Sequence, residues 1–101
     1  GRGAATAMVV AVATADIWIE GSQSLKDRRR VVRAVVDRLR ARLNVSVVEM
    51  DQPSTWQRAR VVVACVAQTE AQARAVMEQA RRLVERDDQA QVTQFEVSFY
   101  C

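Results

Sequence analysis

Met8-Val9-Val10-Ala11-Val12-Ala13-Thr14-Ala15-Asp16-Ile17-Trp18-Ile19-Glu20 alternates, with Ala13, Ala15, Ile17 and Ile19 on one side and Thr14, Asp16, Trp18 and Glu20 on the other. That period predicts a half-buried strand. Gly21 and Ser22 break it. Ser24 then stands three residues before Asp27, the spacing at which a hydroxyl caps the free amides of a starting helix. Counting about 100° per residue from Leu25, the positions Leu25, Val31, Val32, Val35, Val36, Leu39 and Leu43 fall inside an arc of roughly 140°. A helix to about Leu43 with one core-facing side is therefore predicted.

Beyond it, Asn44 is the expected stop, and the β-branched run Val45 to Met50 is a short strand. Asp51 to Thr55 holds the only proline, Pro53, and is a connecting loop. Arg58 to Ala67 is apolar on both sides, as a central strand is. Thr69 followed by Gln72 has capping-box spacing, and Ala73, Val76, Met77, Ala80, Leu83 and Val84 recur at helical intervals to about Glu85. Asp87 to Gln91 is turn-like, and Val92 to Tyr100 alternates through Phe95, Val97 and Phe99. The order βαββαβ, with right-handed crossovers, predicts an α+β ferredoxin-like sandwich: a four-stranded antiparallel sheet with both helices on one face.

Composition narrows the function. The chain has 101 residues, 50% hydrophobic and 27% charged, enough for one modest core and too mixed for a disordered segment. No apolar run approaches the roughly 18 residues of a spanning helix. Histidine is absent, which excludes Ser-His and Cys-His catalysis and the commonest zinc ligand sets within one chain. Cys65 and Cys101 are too few and too far apart for a disulfide framework or a CxxC motif, so a reducing, cytoplasmic setting is expected. Residues 1–7 are expected to be a disordered leader or an expression remnant, and residues 8–101 a single ferredoxin-like domain. Neither a cofactor nor a metal site is expected.

The charge is concentrated. Lys26, Arg28, Arg29, Arg30, Arg33, Arg38, Arg40 and Arg42 stand in the first helix against Asp27 and Asp37, so this element carries +6 in a chain of net charge +3. Lys26, Arg29, Arg30, Arg33 and Arg40 fall between about 40° and 140° on the wheel, beside the apolar arc. From Lys26 to Arg40 the stripe is about 21 Å long, enough to meet several successive phosphates. The first-turn cations also oppose the helix dipole, a local rule broken in the way functional anion sites break it. These five residues are the candidate nucleic-acid or anion contacts, with RNA or the ribosome as partner. The bland alternative is a solvated face in a chain where arginine outnumbers lysine 14 to 1 through codon bias, with Arg33 and Arg40 paired to Asp37 and Arg30 to Asp27.

The uncovered sheet face is expected to carry Val12, Thr14, Asp16 and Trp18 on one central strand and Arg60, Val62, Ala64 and Val66 on the other. Only Trp18 could stack a base as the aromatics of an RNA-recognition motif do, so that mode is disfavoured. Val12, Trp18, Val62, Ala64 and Val66 are instead the candidate face of a homodimer; shielding by Arg60 and the loop around Trp56 is the alternative. A third reading, a small phosphate-processing enzyme, rests on the loop Gly21-Ser22-Gln23-Ser24, which resembles the acylphosphatase cradle only in position and small-residue content. Ser24 is better explained as a cap than as a nucleophile. Asp16 with Glu20, or Glu49 with Asp51, offers oxygen ligands for a hard metal, yet each pair suits a solvated strand edge. No catalytic residue is assigned.

The runs Ser24-Leu25-Lys26-Asp27-Arg28-Arg29-Arg30, Arg42-Leu43-Asn44-Val45-Ser46-Val47-Val48-Glu49 and Trp56-Gln57-Arg58-Ala59 together resemble the YlxP-like family, small bacterial proteins of unknown function. The resemblance covers nearly the whole chain from Met8. Family members often have lysine at the place of Arg28 and an aromatic at that of Leu43. The resemblance implies a ferredoxin-like fold, oligomer formation and no assigned catalytic residue. Its members are often encoded among translation and ribosome-maturation factors, which favours RNA or the ribosome by association only. The expected function is thus a non-catalytic accessory protein gripping RNA or the ribosome through the first helix, ahead of the dimeric interaction module and the enzyme.

Overall fold

Alternation along the strands sorts side chains onto two sides of one sheet, and the inner side collects nearly all of the buried residues. The computed structural model describes residues 7–50 and 55–101, with β1 (Val9–Ile19), α1 (Leu25–Arg42), β2 (Ser46–Met50), β3 (Arg58–Ala67), α2 (Glu70–Glu85) and β4 (Ala90–Tyr100). The sheet order is β2-β3-β1-β4, every neighbouring pair antiparallel, with β1 and β3 central. α1 packs on β2 and β3 while α2 packs on β1, β3 and β4, and the helices touch each other on the same face. This is the predicted ferredoxin-like sandwich.

Local chemistry explains the element ends. Ser24 is the N-cap of α1, its Oγ accepting from the Asp27 amide at 3.1 Å, and Gly21 makes the preceding turn with φ of +73°. Thr69 caps α2 in the same way, accepting from the Gln72 amide at 3.1 Å. The Gln72 side chain reaches back one residue further than a capping box requires, to the Gln68 amide. α1 stops at Arg42, with Leu43 already extended as its C-cap, so Asn44 is outside the helix. β4 starts at Ala90, inside the expected turn, because Ala90 pairs with Ile19 and its amide closes onto the Asp87 carbonyl at 3.0 Å. The β1–β4 register shifts between Asp16 and Ile17, and Thr93, in the bulge, donates its hydroxyl to the Asp16 carbonyl.

The core is built from short side chains. Ala11, Ala13 and Ala15 line the middle of β1, Ala73 and Ala80 answer them from α2, and Val31, Val32, Val35 and Leu39 enter from α1. Small residues on facing surfaces let helix and sheet approach closely. Phe95 and Phe99 on the border strand β4 are half-buried, and α2 roofs them with guanidiniums: Arg81 lies 5.6 Å from the Phe95 ring and Arg74 4.6 Å from that of Phe99.

Leu25 corrects one expectation. It is 49% exposed, and Val36 and Leu43 are only half-buried. The buried set Val31, Val32, Val35 and Leu39 centres about 65° away from Leu25 on the wheel, so those three residues mark the flank of the inner face. The expected leader, apart from an exposed Ala7, and the loop residues 51–54 lie outside the described residues.

Candidate functional site

α1 displays its cations from the side that borders β2, with Arg29, Arg33 and Arg40, to its outer side, with Lys26 and Arg30. Lys26, Arg29, Arg30, Arg33 and Arg40 are all exposed. Among the described residues no ion pair involves any of them, and the expected pairings of Arg30 with Asp27 and of Arg33 and Arg40 with Asp37 do not form. Asp27 stands beside them, its carboxylate accepting from the Gln23 amide at 3.1 Å. Arg29 and Arg33 stand between two troughs. One, of about 320 Å³, lies between α1 and β2 with Val36, Arg40, Val48 and Glu49 on its walls. The other, of about 640 Å³, runs on the outer side between Lys26, Arg30 and Asp37. Arg40 differs from the rest, because its Nη2 donates to the Val47 carbonyl at 2.9 Å.

The remaining cations of α1 are committed elsewhere. Arg28 sits at about 300° on the wheel, in the middle of the buried arc. Its side chain is 12% exposed, donates from Nη1 to the Thr55 carbonyl at 3.2 Å, and lies 3.4 Å from Glu49. It ties α1 to β2 and to the segment entering β3. Arg38 reaches across to α2, donating to the Leu83 carbonyl at 3.0 Å with Asp87 at 3.9 Å. Arg42 also faces α2.

On the open side of the sheet, cross-strand neighbours form apolar rows: Val48 with Val62, Val12 with Ala64, and Val10 between Val66 and Tyr100. Val66 is 70% exposed, Tyr100 58% and Val48 53%. Arg60 does not shield them. It lies sideways in a two-bond pairing with Asp16, Nε to Oδ1 at 2.7 Å and Nη2 to Oδ2 at 3.2 Å, whose hydrogen bonds and charge push the Arg60 pKa further up. Trp18, expected on this face, is half-buried with the Arg58 guanidinium 5.5 Å from its ring.

The loop before α1 spends its polar groups internally. Ser22 is buried, its hydroxyl donating to the Ser24 carbonyl at 3.3 Å, and the Ser24 hydroxyl serves as the cap already described. Asp27 at the mouth of this loop opposes a phosphate there. No group of three or more Cys, Asp or Glu residues among the described ones is placed to hold a metal: Asp16 is held by Arg60 and Glu49 lies beside Arg28, while Asp51 is outside the described residues. Both cysteines are free thiols, and burial pushes that of Cys65 up, away from the reactive thiolate. No helix among the described residues is long and apolar enough to cross a membrane.

A family model described as "Protein of unknown function (DUF503)" matches residues 10–97. The chain belongs to this family. No curated protein matches it. Among solved structures, the DUF503 chain is similar to the de novo designed protein Foldit4, at 16% identity and a TM-score of 0.54 over 93% of this chain and 97% of that one. It is similar also to a dimeric ferredoxin-like protein of unknown function from Thermobifida fusca YX, at 14% identity and a TM-score of 0.51 over 99% and 97% of the two chains. A structural-genomics protein, YJCS, gives 9% identity and a TM-score of 0.53 over 88% and 96%. At such identities the likeness shows the fold alone.

In this DUF503 chain the sequence pattern separated the stripe from the buried arc, but not the three arginines that other elements claim. For Arg28 a signal was available: a cation in the middle of an apolar arc needs polar partners beneath it. For Arg38 and Arg42 there was none, because their roles depend on where α2 docks.

Proposed function

We propose that the protein is a non-catalytic accessory factor that grips the phosphate backbone of RNA, on the ribosome or free, with Lys26, Arg29, Arg30, Arg33 and Arg40. The observation that carries this reading is that Lys26, Arg29, Arg30 and Arg33 reach solvent with no ion pair among the described residues. Four or five full charges along one rigid helix attract a polyanion at every register, without reading its bases. Support also comes from the YlxP-like resemblance, through that family's association with translation factors, and the setting proposed is cytoplasmic.

Phosphate neutralisation makes affinity fall steeply with salt, by about 10²-fold between roughly 50 and 200 mM when four phosphates of a duplex are engaged. In a filter-binding titration of RNA, the Arg29→Glu, Arg30→Glu, Arg33→Glu triple variant is expected to lose most of its affinity and most of its salt slope. Superimposable wild-type and variant curves would sink the proposal.

The apolar rows on the open face favour a second role, self-association. Two copies facing each other would cover Val12, Val62, Ala64, Val66 and Tyr100, leaving the stripes outward on both. Light scattering is expected to give twice the chain mass for the wild type and a single chain mass for a Val62→Lys, Val66→Lys variant. A wild-type monomer at high concentration contradicts it.

A further inference from the structure

The arginines that face away from the stripe converge on a second place. A notch of about 310 Å³ at the C-terminal end of α1, beside the last two turns of α2, is lined by Arg42, Leu43, Gln79, Arg82, Leu83 and Arg86. Its three guanidiniums are exposed, and no carboxylate lines it. Among the described residues none of the three is in an ion pair. Of the carboxylates around it, two are engaged elsewhere. Asp87 faces Arg38 and accepts from the Gln89 amide, Glu85 pairs with Arg81, and Glu78, one helical turn from Arg82, forms no ion pair with it.

Each of these arginines taken singly suits a helix C-terminus, where the dipole is negative. Their convergence is not explained that way. Two helix ends offer about one negative charge between them against three full positive ones, and Arg82 and Arg86 repel each other at the i,i+4 spacing. The half-buried side chains of Leu43 and Leu83 supply an apolar floor beside the cations.

The geometry points to this notch as a binding site for a nucleoside polyphosphate, with the phosphates among Arg42, Arg82 and Arg86 and the base against Leu43 and Leu83. Guanidiniums take phosphate oxygens in charge-assisted, two-bond contacts, so a diphosphate or triphosphate offers the three of them more acceptor oxygens and more negative charge than a monophosphate does. The amide of Gln79 gives the base a hydrogen-bonding edge. The site is separate from the stripe and does not depend on the RNA reading.

Isothermal titration of the whole chain with ADP, ATP, AMP and inorganic pyrophosphate, at about 0.15 M salt, tests it. Expected are one saturable site for ADP and ATP, at least about tenfold weaker binding of AMP and of pyrophosphate, and a comparable loss of ADP affinity in Arg82→Gln, Arg86→Gln. The Arg29→Glu, Arg33→Glu variant is expected to bind ADP as the wild type does. The replaced residues are exposed, so thermal melts of the variants are expected to match the parent. Overturning results are no saturation by ADP or ATP at millimolar concentration, equal affinity in the notch variant, loss in the stripe variant instead, or pyrophosphate binding as tightly as ADP.

Discussion

Leu39→Ala is expected to destabilise the protein by about 2–5 kcal/mol, lowering the melting temperature by roughly 10 °C or more. Leu39 has no exposed surface and stands among Val32, Val35 and the valines of β2 and β3 in the shared core. It is the largest side chain α1 contributes, in a core otherwise made mainly of alanine and valine. Stiff, short neighbours have few alternative rotamers with which to collapse into the vacated volume, so the cost belongs toward the upper part of the range. Chemical denaturation monitored by far-ultraviolet circular dichroism checks this, and a loss below about 1 kcal/mol would show that the site relaxes or that α1 packs differently.

Arg28→Ala is expected to cost about 2 kcal/mol, and Arg28→Lys about half as much. The alanine variant withdraws the donor from the Thr55 carbonyl and the cation from Glu49, and removes the stem that fills the space beneath the first turns of α1. A lysine retains the charge and stem but cannot serve both partners with one rigid fork. Denaturant midpoints for the two variants give the ordering, and alanine as stable as wild type would refute it. Neither change touches the stripe, so RNA affinity of the folded variants is expected to stay within about twofold.

β1 was legible because one side of it is buried and the other open, which imposes a period of two, and both helix starts were legible because Ser24 and Thr69 carry the hydroxyl that a cap requires. Leu25 was misplaced because a wheel gives an angle relative to neighbouring residues, while burial also depends on where the helix axis lies over the sheet. Of the candidate contacts, Lys26, Arg29, Arg30 and Arg33 are placed together in solvent, and Arg40 is with them while donating to Val47. The notch was not legible at all: Arg42 lies forty residues from Arg82, and nothing local to either announces the other.

Arg40 has a consequence beyond its place in the stripe. β2 is the outermost strand on its side of the sheet, and a strand so placed offers unpaired backbone groups as a template for strands of other molecules. By seating a guanidinium on the Val47 carbonyl, the protein blocks one of those groups with a hydrated charge that no incoming chain can easily displace. A polyanion that drew Arg40 away would leave that carbonyl without its side-chain donor, so occupation of the stripe and protection of this sheet margin draw on the same side chain.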